Sequence, residues 1–337
     1  MFKNNKKLSI RKEPRNLKTE DLYLFEHELK KKFPNPSIKK YKNVHIINSQ
    51  MKKYKFFRFQ IKNQRMNPID FKTKVKFLFS DLKNLIFSEK RTEVVNIKKA
   101  TWVVDTRSYQ YFHWFTDAMQ RINISKDFHK TYPVLIPLSF IKNSFIKESL
   151  KYLDIEPIYI DHNKEYLIEE LILAERVSPA GNYNKDVITG VSDDFRRVGV
   201  DKSREMSHKK IWVSRQNSDK RMINNFKNIE KILLKYNFHI VEFENYSIKE
   251  QIRLLRGCDV LGGVHGAGLV NMLFMKPGAK VLEVRARNDS KNNCYFSLAS
   301  DLDIDYYYFL SDTAENDYYR SNHDIDSLLF ESFIKRF

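Results

Sequence analysis

The apolar positions of this chain change period several times, and each change predicts an element. Through LKTEDLYLFEHELKKKF they recur at helical spacing. Residues 1–43 are therefore expected to be helical and polar, capped at Thr19 or Asp21 and ended by Pro34 and Pro36. VHIIN (44–48), KFFRFQI (55–61) and TWVVD (101–105) read as strands, the last of a fully buried type. Helical spacing returns from Tyr109 to Ile122. VLIP (134–137), a helix around 140–152, PIYID (157–161) and ELILAE (170–175) continue a strand–helix–strand rhythm. Residues 178–208 carry Pro179, Gly181, Gly190 and Gly199 and read as loop with a short helix, the expected crossing between domains.

From Lys209 the alternation becomes regular. KIWVS, FHIVEF, DVLGGV, AKVLEV and IDYYYF are strands. NNFKNIEKILLKY, SIKEQIRLLRG, GLVNMLFM and NNCYFSLASDL are the helices between them, and DIDSLLFESFIKRF is a final helix that folds back. Strands alternating with helices imply parallel crossovers and an open α/β sheet. The expected division is a basic helical segment at 1–43, a domain at 44–185 and a second at 186–337.

A chain of 337 residues, 42% hydrophobic and 30% charged, has material for about two cores, which excludes a disordered polymer. No run of about eighteen apolar residues predicts a spanning helix. The basic start has no apolar stretch behind it, so no secretory leader is expected. Cys258 and Cys294 are too few for a disulfide framework or a cysteine zinc site, and a reducing compartment is the simplest reading. The net charge of +18 is unevenly placed. Residues 1–100 hold 27 Lys and Arg against 9 Asp and Glu, whereas residues 301–337 hold 3 against 9. Such asymmetry points to an anionic partner for one end, or to a solvated lysine-rich surface.

Three segments carry chemistry. In GGVHGAGLVNMLFMKPG a strand runs into the small-residue turn His265-Gly266-Ala267-Gly268 and then a helix. Free N–H groups at such a turn suit a pyrophosphate, and His265 can donate to a phosphate oxygen. The segment is neither a dinucleotide nor a P-loop fingerprint. In VSRQNSDKRMINN, Arg215 and Arg221 bracket a strand-to-helix loop and offer planar forks to phosphate. In SYQYFHWFTDAMQRI, His113 and Asp117 stand four apart on one helix face among aromatic residues. A carboxylate so desolvated is expected to have a raised pKa and to serve as a general base. Each feature also has a plain structural reading: a tight packing turn, a solvated basic loop, a surface aspartate. The Asp301, Asp303 and Asp305 spacing resembles a metal-nucleotide DxD, but turn aspartates are far commoner and no metal role is expected.

Together the three segments, with EQIRLLRGCDV before the turn and VLEV after it, resemble glycosyltransferase family 61 over about residues 101–310. The resemblance implies two Rossmann-like halves facing across a cleft, the GT-B arrangement, preceded here by a basic N-terminal extension. It implies an inverting, metal-independent glycosyltransferase without a resident cofactor. A nucleotide sugar, UDP-linked in the first instance, is the co-substrate. A glycan or lipid-linked glycan hydroxyl is the acceptor, in capsule or surface polysaccharide synthesis. Carried over by motif, Asp117 is the base and His113 shapes its cleft. Arg215, Arg221 and Asn224 hold the donor phosphates or their loop. His265, Gly266, Ala267 and Gly268 form the donor turn, Asn271 braces its helix, and Glu283 contacts the ribose. Asn225 stands where family members commonly carry an acid. The basic end is expected to dock on an anionic membrane surface, giving a cytoplasmic enzyme peripheral to the inner face. Two rivals are a nucleic-acid-binding protein stacking bases on Phe56, Phe57 and Phe59 among lysines, and a non-catalytic glycan scaffold.

Overall fold

The structure, a computed structural model, describes residues 6–47, 50–54, 58–59, 93–197, 208–313 and 320–337. The chain divides into two compact units. One is Pro36–Ala180; the other joins the described residues up to Asn35 to Gly181–Phe337.

The N-terminal segment is not the expected helix. Strand β1 (Lys6–Ile10) pairs antiparallel with β2 (Lys30–Pro34), and two short 3₁₀ turns, Thr19–Leu24 and Glu26–Glu28, lie between. Neither Thr19 nor Asp21 caps: the cap position is Lys18, without a side-chain bond. Tertiary contacts override the helical period. Phe25 is fully buried, with ring centroids 5.1 Å from Phe296 and 5.0 Å from Tyr308. Asp21 accepts the Tyr308 hydroxyl at 2.6 Å. The segment is thus part of the core of the unit formed with Gly181–Phe337.

In the Pro36–Ala180 unit, β3 (Ile38–Ile47), β4 (Gln50–Tyr54), β5 (Arg58–Phe59), β6 (Val94–Trp102), β7 (Val134–Pro137), β8 (Ile158–Ile160) and β9 (Glu165–Ala174) form one sheet in the order β5-β4-β3-β9-β6-β7-β8. The pairs from β9 through β6 and β7 to β8 are parallel; β3, β4 and β5 extend the sheet antiparallel. The strand expected at 101–105 ends at Trp102 and releases Val103, Val104 and Asp105 into the following loop. Of the strand expected at 55–61, only Arg58–Phe59 is described; Phe56 and Phe57 lie outside the described residues. Helix α1 runs from 111 to 124, and its middle, Trp114–Ala118, is a π-turn. Helix α2 (Ser144–Tyr152) follows β7.

In the other unit, the helix expected within 178–208 is α3 (Lys185–Arg197); its apolar stripe Val187, Ile188, Val191 and Phe195 is buried. Strands β10 (Lys210–Val213), β11 (His239–Val241), β12 (Val260–Val264), β13 (Lys280–Ala286), β14 (Asp305–Thr313) and β15 (His323–Asp324) lie in the order β11-β10-β12-β13-β14-β15. All pairs are parallel except β14 with β15. Helices α4 (Phe226–Lys235), α5 (Ile248–Arg256) and α6 (Cys294–Asp301) make the crossovers, with a 3₁₀ helix at Ala267–Phe274. The last helix, α7 (Ser327–Ile334), does fold back. Its Phe330, Phe333 and Ile334 share a core with Ile229 and Leu233 of α4 and with Trp212. Each unit is thus a mixed α/β layer structure with parallel strands, compatible with a Rossmann-like fold.

Candidate functional site

In the Pro36–Ala180 unit, chemistry gathers where parallel strands end. β6 and β9 lie side by side with Trp102 opposite Leu173, so the chain leaving each delivers Asp105 and Arg176 to one sheet edge. Arg176 is bonded to Asp105, and its Nη1 lies 3.4 Å from Asp117 Oδ1. The other Asp117 oxygen is 2.8 Å from His113 Nδ1. Burial opposes ionisation of Asp105, but Arg176 and the Arg107 N–H outweigh it and hold the carboxyl below its ordinary range. Arg121 closes the floor, donating to the Ala174 carbonyl at 2.9 Å and the Val104 carbonyl at 3.2 Å. Burial pushes its guanidinium down to about 10.

Asp117 is 5% exposed and sits beside fully buried Trp114 and Phe115, so the apolar setting read from the sequence is present. The π-turn that carries it widens the backbone spiral, and such turns recur at functional sites. A carboxylate has about four lone-pair sites, so two partners orient it and leave it able to accept a proton. Sequence reasoning missed Arg176, Asp105 and Arg121. The signal was available: a charged residue directly after each of two buried strands marks the sheet edge where α/β proteins bind ligands.

In the other unit, β10 and β12 are parallel neighbours, with Val213 opposite Gly263. Arg215 and His265 follow those strands at the same edge. Gly266 lets the Arg215 guanidinium lie against the turn: a Cβ there would fall 2.4 Å from Arg215 Nη1 and push the side chain away. At Gly268 a Cβ would fall 2.6 Å from Val213 Cγ1. Arg221 holds a left-handed backbone with φ of 58°, an uncommon state for a bulky residue that clusters at ligand sites. Burial, then the neighbouring Arg221, lower the Arg215 pKa. The Nε atoms of Arg215 and Arg221 are buried and find no hydrogen-bond partner among the described residues.

His265 is fixed from behind. Its Nδ1 bonds Glu283 Oε1, and the second Glu283 oxygen accepts the Tyr306 hydroxyl. Tyr295 packs edge-on against the imidazole at 4.8 Å. Glu283 is fully buried, with its two oxygens engaged by His265 and Tyr306. Asn271, fully buried, donates to Gln251 Oε1 at 2.8 Å and ties the turn's helix to α5. Asn224 donates to Asp324 at 3.0 Å and its main-chain N–H to the His323 carbonyl, which joins the basic loop to β15. Asn225 donates to the Ile325 carbonyl at 2.7 Å. A cavity of 830 Å³ opens beside this loop, lined among others by Ser214, Gln216, Asn224, Glu242 and Tyr246.

The DxD-like aspartates have another use. Asp301 bonds Arg11 and Ser9, Asp303 pairs with Lys12 and Lys185, and Asp305 with Arg15. Part of the charge asymmetry is therefore settled inside this unit, between the basic start and the 301–305 loop.

The family profile of Glycosyltransferase 61 matches residues 111–282, just over half of the chain. It begins with α1 and ends one residue before Glu283. A stretch of 65 residues is 37% identical to the EGF domain-specific O-linked N-acetylglucosamine transferase of Drosophila melanogaster. That match covers 19% of this chain and only 12% of the fly protein. The matched span holds both Asp117 and the Arg215–His265 turn, and on it the chain belongs to glycosyltransferase family 61.

Proposed function

We propose that this glycosyltransferase is inverting and metal-independent, and that it takes its sugar from a nucleoside diphosphate donor. The observation that carries the reading is the one-sided positive charge at the carboxyl ends of β10 and β12. Two guanidinium groups with orphaned Nε atoms and the His265 ring converge there on a turn stripped of side chains. Buried donors without acceptors are costly, and a diphosphate supplies acceptors of the right charge and size. The adjoining cavity has room for the nucleoside.

In this mechanism Asp117 removes the proton from the acceptor hydroxyl. That oxygen attacks the anomeric carbon from the face opposite the diphosphate, and the configuration inverts. Arg215, Arg221 and His265 stabilise the departing charge, the role a metal fills elsewhere. His113 and Arg176 keep the Asp117 carboxylate in position, and Glu283 does so for His265. The same proposal has the two units acting as the halves of a GT-B enzyme, with the acceptor on the Pro36–Ala180 side. The acceptor would be a glycan or lipid-linked glycan of a surface polysaccharide, met at the inner face of the membrane. N-Acetylglucosamine, named in the fly relative, is the first sugar to try.

A thermal-shift screen against UDP-, GDP-, CMP- and ADP-sugars tests the reading, because donor binding raises the melting temperature by mass action. A rise with one nucleotide class is expected. No rise with any of them removes the donor assignment.

A further inference from the structure

One buried titratable group has no place in the mechanism above and lies outside the family-matched span. His323, on β15, is 1% exposed. Its Nδ1 is 2.5 Å from Ser311 Oγ, while its Nε2 is buried and has no hydrogen-bond partner among the described residues. Ser321 Oγ, two residues earlier, is in the same condition. We propose that His323, with Ser321 beside it, completes the phosphate pocket, and that its Nε2–H donates to a non-bridging oxygen of the donor diphosphate.

The placement comes from the backbone. Residues 320–325 are laced to the basic loop: Arg221 N–H donates to the Arg320 carbonyl at 3.4 Å, and His323 N–H to the Met222 carbonyl at 2.8 Å. Asn224 N–H donates to the His323 carbonyl at 3.0 Å, and Met222 N–H to Asn322 Oδ1 at 3.0 Å. The strand therefore cannot move without the loop that carries Arg215 and Arg221. The ring is close enough to feel their charges: burial first, then His265, Arg221 and Arg215, push its pKa down to about 4. Near neutral pH it is an uncharged imidazole with one proton. Ser311 Oγ lies far closer to Nδ1 than to its other acceptor, the Arg285 carbonyl at 3.3 Å. With that hydroxyl donating to Nδ1, the ring proton sits on Nε2. An orphaned N–H among guanidinium groups has one fitting partner, an anionic oxygen. Orphan atoms on Arg215, Arg221, Ser321 and His323 then share one explanation.

The inference rests on the donor reading, and the test keeps the two apart. Asparagine at 323 reproduces the Nδ1 position and loses Nε2; glutamine reproduces Nε2 and loses the Ser311 contact. Calorimetry with inorganic pyrophosphate and with UDP and GDP is run on wild type, His323→Asn, His323→Gln, Ser321→Ala and Arg215→Ala, with melting temperatures alongside. His323→Asn is expected to weaken pyrophosphate binding about tenfold, and His323→Gln to stay within about threefold of wild type. Ser321→Ala, the variant least able to disturb folding, is expected to lose about threefold. Wild-type affinity in both His323→Asn and Ser321→Ala, or a larger loss in glutamine than in asparagine, overturns the inference. If Arg215→Ala alone loses binding, the inference falls and the donor reading stands. If wild type binds none of the three ligands, both fall.

Discussion

The two clusters of charge differ in how far they are satisfied. Around Asp117 the carboxylates are paired: Arg176 meets both Asp105 and Asp117, and His113 bonds the other Asp117 oxygen. Around His265 the excess is one-sided. Glu283 is used by His265 and Tyr306, and Arg215 and Arg221 have no carboxylate in contact among the described ion pairs. A mutually paired cluster is built to hold one group in one geometry, as proton transfer demands. A cluster left with surplus donors is built to receive a charge from outside. The contrast supports the division of roles proposed above.

The largest way to break the contrast is Asp117→Asn. The substitution keeps the shape and removes the proton acceptor. Transfer is expected to fall by a factor of about 10²–10⁴. Donor binding, measured by calorimetry, should remain, because no residue of the phosphate pocket is touched. Near-normal turnover with the true acceptor would make Asp117 structural.

Acid unfolding sharpens the contrast next, through one histidine in each unit whose pKa burial lowers strongly. Burial pushes His129 in one unit and His323 in the other down to about 4 from the ordinary 6.5. Below 6.5 the unfolded chain takes up a proton that the fold refuses. Their stability is therefore complete above 6.5 and lost as pH falls towards 4. For His323 the full loss is about 3 kcal/mol. Melting temperatures between pH 7 and 4 should fall less steeply in His323→Gln and in His129→Asn than in wild type. Equal slopes in all three would remove the claim.

How much of this was legible in sequence varies by region, and the reason is physical. From Lys209 to Thr313 the strands are parallel, and glycine or charge punctuates each, so local pattern and tertiary structure agree. The His113–Asp117 pair was legible because helical spacing places it, and even the π-turn leaves the atoms 2.8 Å apart. Residues 6–35 misled because Phe25 packs against Phe296 and Tyr308, far along the chain, rather than on a helix face. Arg176 could be placed at a sheet edge from its position after a strand, but its partners, 59 and 71 positions away along the chain, could not be read locally.

Smaller effects come from the pocket's donors taken singly. Arg215→Ala, Arg221→Ala and His265→Ala each remove charge-assisted hydrogen bonds to a ligand and should weaken nucleoside diphosphate binding about tenfold or more. Glu283→Gln keeps the buried volume but unpins His265, and a loss smaller than that of His265→Ala is expected by calorimetry. Unchanged affinity in the three alanine variants would return the pocket to a packing role.

The smallest effect expected is none, and it concerns the acidic loop at 301–305. A divalent ion bound there would need carboxylates free to turn towards it. Burial instead pushes the Asp301 carboxyl up to about 6, and both its oxygens face Ser9 and Arg11. Lys12 and Lys185 hold Asp303, and Arg15 holds Asp305. An arriving cation would have to displace four basic side chains that fasten the N-terminal segment and α3 to this loop. In the proposed mechanism the guanidinium groups of Arg215 and Arg221 offer the leaving diphosphate the positive charge that a metal supplies elsewhere. Transfer measured in EDTA should match transfer in magnesium or manganese. A complete loss that manganese restores would reverse the assignment. It would place a metal among the diphosphate's own oxygens and reduce the two arginines to supports of the loop.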